Sequence, residues 1–78
     1  MKVWVLGSHN NEGDYNVELF DTKEKATTRL EEVYHDTIKW AKKERTIESS
    51  ELNTEEGWAF IVFTDGSFNL DVFEEEVK

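Results

Sequence analysis

The chain predicts an α+β fold of order β-β-α-β-β, a four-stranded antiparallel sheet with one long helix packed on one face. Three observations carry that expectation. Residues 22–45 hold an uninterrupted helical period without Gly or Pro. Two short segments of strand-forming residues precede that stretch and two follow it. A helix with a single apolar stripe covers only one face of such a sheet. At 78 residues the chain holds one domain, spanning 1–78, which buries roughly 60% of its unfolded surface.

Residues 2–6 read as the first strand, because they are β-branched and aromatic and stand before a turn cluster at 7–14. Residues 15–20 alternate Tyr15, Val17 and Leu19 with Asn16 and Glu18, the period of a half-buried strand. Asp21 stands where a helix cap is needed, and Glu24 three positions on completes a capping box. Ala26, Leu30, Val33, Tyr34, Thr37 and Ala41 then form one stripe, with Trp40 at its edge. Lys42, Lys43 and Arg45 gather where the helix dipole favours cations.

Residues 46–57 lose the period and become polar, and read as an acidic loop. The apolar run 58–63 is the third strand. Asp65-Gly66 is a preferred dipeptide of the two-residue type I′ hairpin, and Phe68, Leu70 and Val72 mark the returning strand at 68–73. Glu74, Glu75 and Glu76 begin an acidic solvated tail at 74–78. The first and third strands are apolar on both sides, which predicts that they lie in the centre, in the order 2-1-3-4. Tyr15, Val17, Leu19, Phe68, Leu70 and Val72 are then expected beneath the helix. Trp4, Leu6, Ala59, Ile61 and Phe63 are expected on the opposite, uncovered face, with Val3 and Val5 as the alternative to Trp4 in the first strand.

Charge is the strongest compositional signal: 18 Asp and Glu against 9 Lys and Arg, a formal net charge of −9. Residues 1–21 carry −3, residues 22–45 carry +2, and residues 46–78 carry −8. Direct binding of nucleic acid or of an anionic membrane needs clustered bases, so neither is expected. A concentrated acidic field instead either serves solubility alone or steers a basic protein partner. An uncovered aromatic sheet surface ringed by acids suits such a partner, since buried aromatic anchors carry much of an interface's energy. The partner-binding residues expected on this basis are Glu55, Glu56, Trp58, Phe63, Asp65, Asp71, Phe73, Glu74, Glu75 and Glu76. A homodimer through the uncovered sheet face is the alternative reading.

The chain offers little to catalysis or metal binding. It has no cysteine, hence neither a disulfide framework nor a thiolate site. His9 and His35 are far apart in sequence. Ser8 and His9 with Asp14 lack the context of an activated nucleophile. Asp65, Ser67, Asn69 and Asp71 alternate oxygens but fail the calcium-loop template, with glycine in the second position. Gly7 and Gly13 form no phosphate-binding fingerprint. A non-enzymatic protein without cofactor or metal is therefore expected. The longest N-terminal apolar run, Val3 to Leu6, is too short for a signal peptide or a spanning helix, and a cytoplasmic location is expected.

Phe20-Asp21-Thr22-Lys23-Glu24-Lys25-Ala26 at the strand-to-helix junction, Phe63-Thr64-Asp65-Gly66 at the second hairpin and the acidic triplet Glu74–Glu76 carry a resemblance. In these features and in its acidic, cysteine-free composition the chain resembles small proteins of phages and mobile elements, of which the anti-CRISPR inhibitors are the best-known group. That resemblance implies a stoichiometric inhibitor. Such a protein occupies the nucleic-acid-binding surface of a basic partner, here a CRISPR effector, or blocks a moving part of it. The class has no common signature, so it assigns no residue a role. The net-basic helix departs from a pure nucleic-acid mimic and has to face away from the contact or meet a different surface.

Overall fold

A computed structural model describes residues 1–44 and 46–77. Five strands and one helix follow in the order β1 (Lys2–Asn10), β2 (Tyr15–Phe20), α1 (Lys23–Glu44), β3 (Ile47–Asn53), β4 (Trp58–Phe63) and β5 (Gly66–Glu76). All strand pairs are antiparallel, and the sheet order is β2-β1-β5-β4-β3. The fold is thus α+β with one helix, as expected, but the sheet has five strands rather than four. The ends expected at Arg45 for the helix and at Lys78 for the tail lie outside the described residues.

The fifth strand comes from the segment read as an acidic loop. Ile47–Asn53 pairs with β4 along the edge of the sheet, with a register shift between Ile47 and Ser49. Its Ser and Glu residues hide the alternation because most of them face solvent on an edge strand. β3 fills the outer side of β4, so β1 has to pair with β5 instead. The predicted order 2-1-3-4 fails for this reason: the strand at 58–63 lies one place from an edge, and β5 is the central strand. Glu74, Glu75 and Glu76 are not a free tail. They extend β5 and stand opposite Trp4, Val3 and Lys2. The first strand is also longer than expected, running through Gly7 and Ser8 to Asn10.

Register decides which side chains the helix covers. Leu6 stands opposite Val72 on one side and Glu18 on the other, while Ala59 faces Leu70 and Ile61 faces Phe68. These residues share the helix side of the sheet. Leu6, Leu30, Ala59 and Leu70 form one buried cluster, and Ala41, Ile61 and Phe63 form another; Tyr34 and Phe68 pack against both. Burial of each large apolar side chain such as Leu30, Ile61 or Leu70 stabilises the fold by roughly 1.5–3 kcal/mol. Phe68, Leu70 and Val72 lie on the expected face, but Trp4, Leu6, Ala59, Ile61 and Phe63 also lie there. Tyr15, Val17 and Leu19 occupy the opposite one, where they are exposed. Alternation identifies two faces of a strand without saying which is inner, and β2 at the sheet margin is exposed on both except at Phe20, which packs against the helix-side core.

The helix stripe falls where the period puts it, with Ala26, Leu30 and Ala41 buried and Trp40 exposed. Its cap is Thr22 rather than Asp21. The Lys25 amide donates to Thr22 Oγ1 at 3.2 Å, and Asp21 instead pairs with Lys25 Nζ at 2.9 Å. That hydrogen bond, with the charge of Lys25, holds the Asp21 carboxyl below its ordinary value.

The hairpin between β4 and β5 turns through Thr64-Asp65, with Phe63 opposite Gly66. Positive φ among the described residues occurs only at Gly13 (93°) and Gly57 (80°), so the turn is not the type I′ form expected from Asp65-Gly66. Gly66 leaves room for a neighbouring side chain. A Cβ there would run into the carboxamide of Asn11, whose Oδ1 accepts the Ser67 amide at 3.1 Å and ties the two hairpins together.

A candidate protein-binding surface

The strands also determine the face that the helix leaves open. Pairing across the sheet builds it in rows. One row runs Trp58, Asp71, Gly7, Val17, and the next runs Glu51, Phe60, Asn69, His9, Tyr15. A third sets Phe73 beside Val5 and Leu19. Val5 is buried on this side, flanked by Phe73 and Leu19, although no helix lies above it. Phe73 is 38% exposed, Val17 53%, Tyr15 60% and Leu19 67%. The result is a large uncovered apolar surface, which marks interaction sites on folded proteins.

Two aromatic pairs stand at its margins. Trp58 stacks on Phe60 with centroids 6.0 Å apart and planes 9° from parallel. Glu56 accepts the Trp58 indole N–H at 3.0 Å, which fixes the ring before any partner arrives. Glu56 is itself held in the turn, its amide donating to Asn53 Oδ1 at 2.9 Å. Gly57 in that turn donates its amide to the Asn53 carbonyl, and its carbonyl accepts the Val72 amide at 2.7 Å. On the other side His9 and Tyr15 stack at 6.2 Å. The absent side chain of Gly7 leaves room for the Tyr15 ring, because a Cβ there would lie 2.9 Å from the Tyr15 hydroxyl.

Charge divides between the two faces. Among the described residues every Lys and Arg lies on α1, except Lys2, whose position on β1 puts it on the helix side. Each of these groups is directed away from the open face or lies behind the sheet. The charged strand residues of the open face are Glu51, Asp71 and Glu75, all acidic. None of the three has an ion-pair partner among the described residues. Salt bridges gather on the helix side instead. Arg29 pairs with Glu18 at 3.2 Å and Glu32 at 3.3 Å, and Lys2 with Glu74 at 3.4 Å. The Glu18 hydrogen bond and charge hold the Arg29 guanidinium above its ordinary value.

The residues expected to bind a partner separate accordingly. Trp58, Asp71, Phe73 and Glu75 come together on the open face, with Glu55 and Glu56 exposed at its rim in the turn before β4. Phe63 does not belong there: it is 6% exposed and packed under the helix with Ile61 and Ala41. Glu74 and Glu76 share the helix side with Lys2. Asp65 lies in the hairpin turn, bordering a recess with Lys43, Glu44, Thr46 and Thr64 at the far end of α1.

No family model matches the chain, and neither a curated protein nor a solved structure matches it. Sequence reading missed Glu51, Phe60, His9 and Tyr15 as parts of the open face, since their membership depends on strand pairing.

Other features are local. Ser8 and His9 are neighbours on a strand and so point to opposite faces, while Asp14 accepts from Asn10 Nδ2 at 3.2 Å. A recess of about 300 Å³ lies between the β1–β2 loop and α1, lined by Asn10, Asn11, Thr37, Trp40 and Phe68 among others. No group of three or more His, Cys, Asp or Glu among the described residues is arranged to hold a metal ion. No described helix is long and apolar enough to cross a membrane.

Proposed function

We propose that this protein is a non-enzymatic binding protein whose open sheet face docks on a basic, phosphate-binding surface of another protein and so excludes nucleic acid from it. The observation that supports this reading is the separation of charge between the two faces. Aromatic and aliphatic groups at Trp58, Phe60, Phe73 and Tyr15 supply contact area, and Trp58 is already held by Glu56. Asp71 among them, with Glu51 and Glu75 at the sides, supplies acceptors for Arg and Lys. The net-basic helix is on the reverse, where it does not oppose a cationic partner. Inhibition of the anti-CRISPR type would operate in this manner, by occupying Lys and Arg that otherwise hold phosphate.

A face-to-face homodimer fits this surface less well. It would bring Glu51, Asp71 and Glu75 of two copies together with no Lys or Arg of the described residues between them, and like charges in a desolvated contact are costly.

The test is affinity capture from a bacterial lysate with the native chain and an Asp71→Lys/Glu75→Lys variant, in low and high salt. The expected result is a nucleic-acid-binding protein held by the native chain, released by salt, displaced by duplex DNA or RNA, and held at least about tenfold more weakly by the variant, about 1.4 kcal/mol. Equal capture by both chains, or capture insensitive to salt and to nucleic acid, overturns the proposal.

A further inference from the structure

The two edges of the sheet differ in how they are protected. β3 carries a register irregularity between Ile47 and Ser49, with Glu48 and Glu51 along it, and such features discourage the addition of another strand. β2 has no such irregularity and a single acid. Its six residues pair regularly with β1, contain no Pro, Lys or Arg, and leave one whole hydrogen-bonding side without a strand. Its one acid, Glu18, is matched within the chain by Arg29. Tyr15, Val17 and Leu19 stand out from it on the open face.

We infer that the chain pairs with a second copy of itself through β2, antiparallel, with Val17 opposite Val17 across a twofold axis. The register follows from charge and from face. A shared open face requires odd-numbered residues of β2 to oppose odd-numbered ones. Centring on Val17 sets Tyr15 against Leu19, an aromatic–aliphatic pair, and Asn16 against Glu18, a donor against an acceptor. Centring on Glu18 sets two carboxylates against each other. Centring on Asn16 sets Asp14 against Glu18, and centring on Leu19 shortens the seam and sets Val17 against Asp21. Only the Val17 register is free of these conflicts, and it is self-complementary, as a twofold interface requires. The product is a ten-stranded sheet with one continuous open face.

This inference stands independently of the proposed function, and salt separates the two. Each copy carries −9, while the seam itself brings no unpaired charge. Screening therefore strengthens self-association, whereas it weakens docking on a basic partner.

Sedimentation from micromolar to near-millimolar concentration, at low and high salt, tests the inference together with two kinds of variant. The native chain is expected to form dimers more readily in high salt. Val17→Lys sets two ammonium groups against each other at a position 53% exposed, so the chain is expected to keep its circular dichroism and associate at least tenfold more weakly. The native chain has no cysteine, so single replacements report register directly. Val17→Cys is expected to form a disulfide-linked dimer under mild oxidation, because directly opposed residues lie about 4.5–5.5 Å apart, within disulfide reach. Tyr15→Cys is expected to form much less, since it faces Leu19. A monomer at every concentration and salt overturns the inference. So does a dimer that Val17→Lys leaves intact, or equal cross-linking at both positions.

Discussion

The two faces of the sheet are made of the same five strands and differ in almost everything else. The helix side holds Leu6, Ala59, Ile61 and Leu70 under α1, with the ion pairs of Arg29 and Lys2 at its border. The other side holds Tyr15, Val17, Leu19 and Phe73 without a cover, and among the described residues its strands carry Asp and Glu but no Lys or Arg. A net charge of −9 describes neither face. The bases are concentrated in one stretch of sequence, that stretch is the helix, and the helix lies entirely on one side. A linear segregation of charge thereby becomes a spatial one, and among the described residues it leaves one sheet face without Lys or Arg.

The contrast breaks first, if it is wrong, at the core. Ile61→Ala and Leu30→Ala are each expected to destabilise the fold by about 2–5 kcal/mol in urea titration, because both are fully enclosed. Leu19→Ala and Val17→Ala on the open face are expected to stay within about 0.5 kcal/mol of the native chain. Similar losses on both faces would mean that the open one is covered.

Two glycines sharpen the contrast at a smaller scale. Gly57 has φ of 80°, and an added Cβ would press on Val72 at 3.1 Å and on its carbonyl oxygen at 3.3 Å. Gly57→Ala is expected to cost about 1–2 kcal/mol from the left-handed backbone alone, and somewhat more from the contact. Gly7→Ala meets only the end of the exposed Tyr15 side chain first, which can swing aside. Its effect on stability is expected to be the smaller of the two by urea titration, and its effect on partner capture the larger.

The helix border gives the mildest effects. Thr22→Ala removes the cap and is expected to cost about 1 kcal/mol in thermal unfolding. Asp21→Asn is expected to cost less than that. Because the Asp21 carboxyl is held below its ordinary value in the folded state, its contribution is present above the unfolded carboxyl range and is lost as pH falls through the folded value. A native-minus-variant difference in melting temperature that vanishes in acid and in high salt would agree with this sign. A difference that grows in acid would contradict it.

Much of the molecule was legible before its structure. The helix, its buried stripe and four of the strands follow from period and composition. The face shared by the two strands of the second hairpin was legible as well, though not their register, which is set by a turn at Thr64-Asp65. Any two-residue turn between Phe63 and Phe68 puts Ile61 and Phe63 on the same face as Phe68 and Leu70, so separating those pairs contradicted the predicted hairpin itself. β3 could not be read in this way. Its Ile-Glu-Ser-Ser-Glu-Leu-Asn sequence has no alternation to detect, because pairing along one edge demands backbone rather than side-chain pattern. That hidden strand determines the sheet order, and the sheet order determines the face on which Glu51, Trp58, Asp71 and Phe73 meet.

β5 joins β1 to β4, so the middle of the sheet is made by the last of its strands to be synthesised. Until it emerges from the ribosome, the β1–β2 and β3–β4 hairpins are two separate ribbons with no strand between them. The pairing of Lys2 with Glu76 closes a loop of nearly the entire chain. Contacts of such long sequence separation slow folding, because the loop must close before they form. Completion of the sheet therefore waits for β5, and a chain without it leaves the two ribbons unjoined.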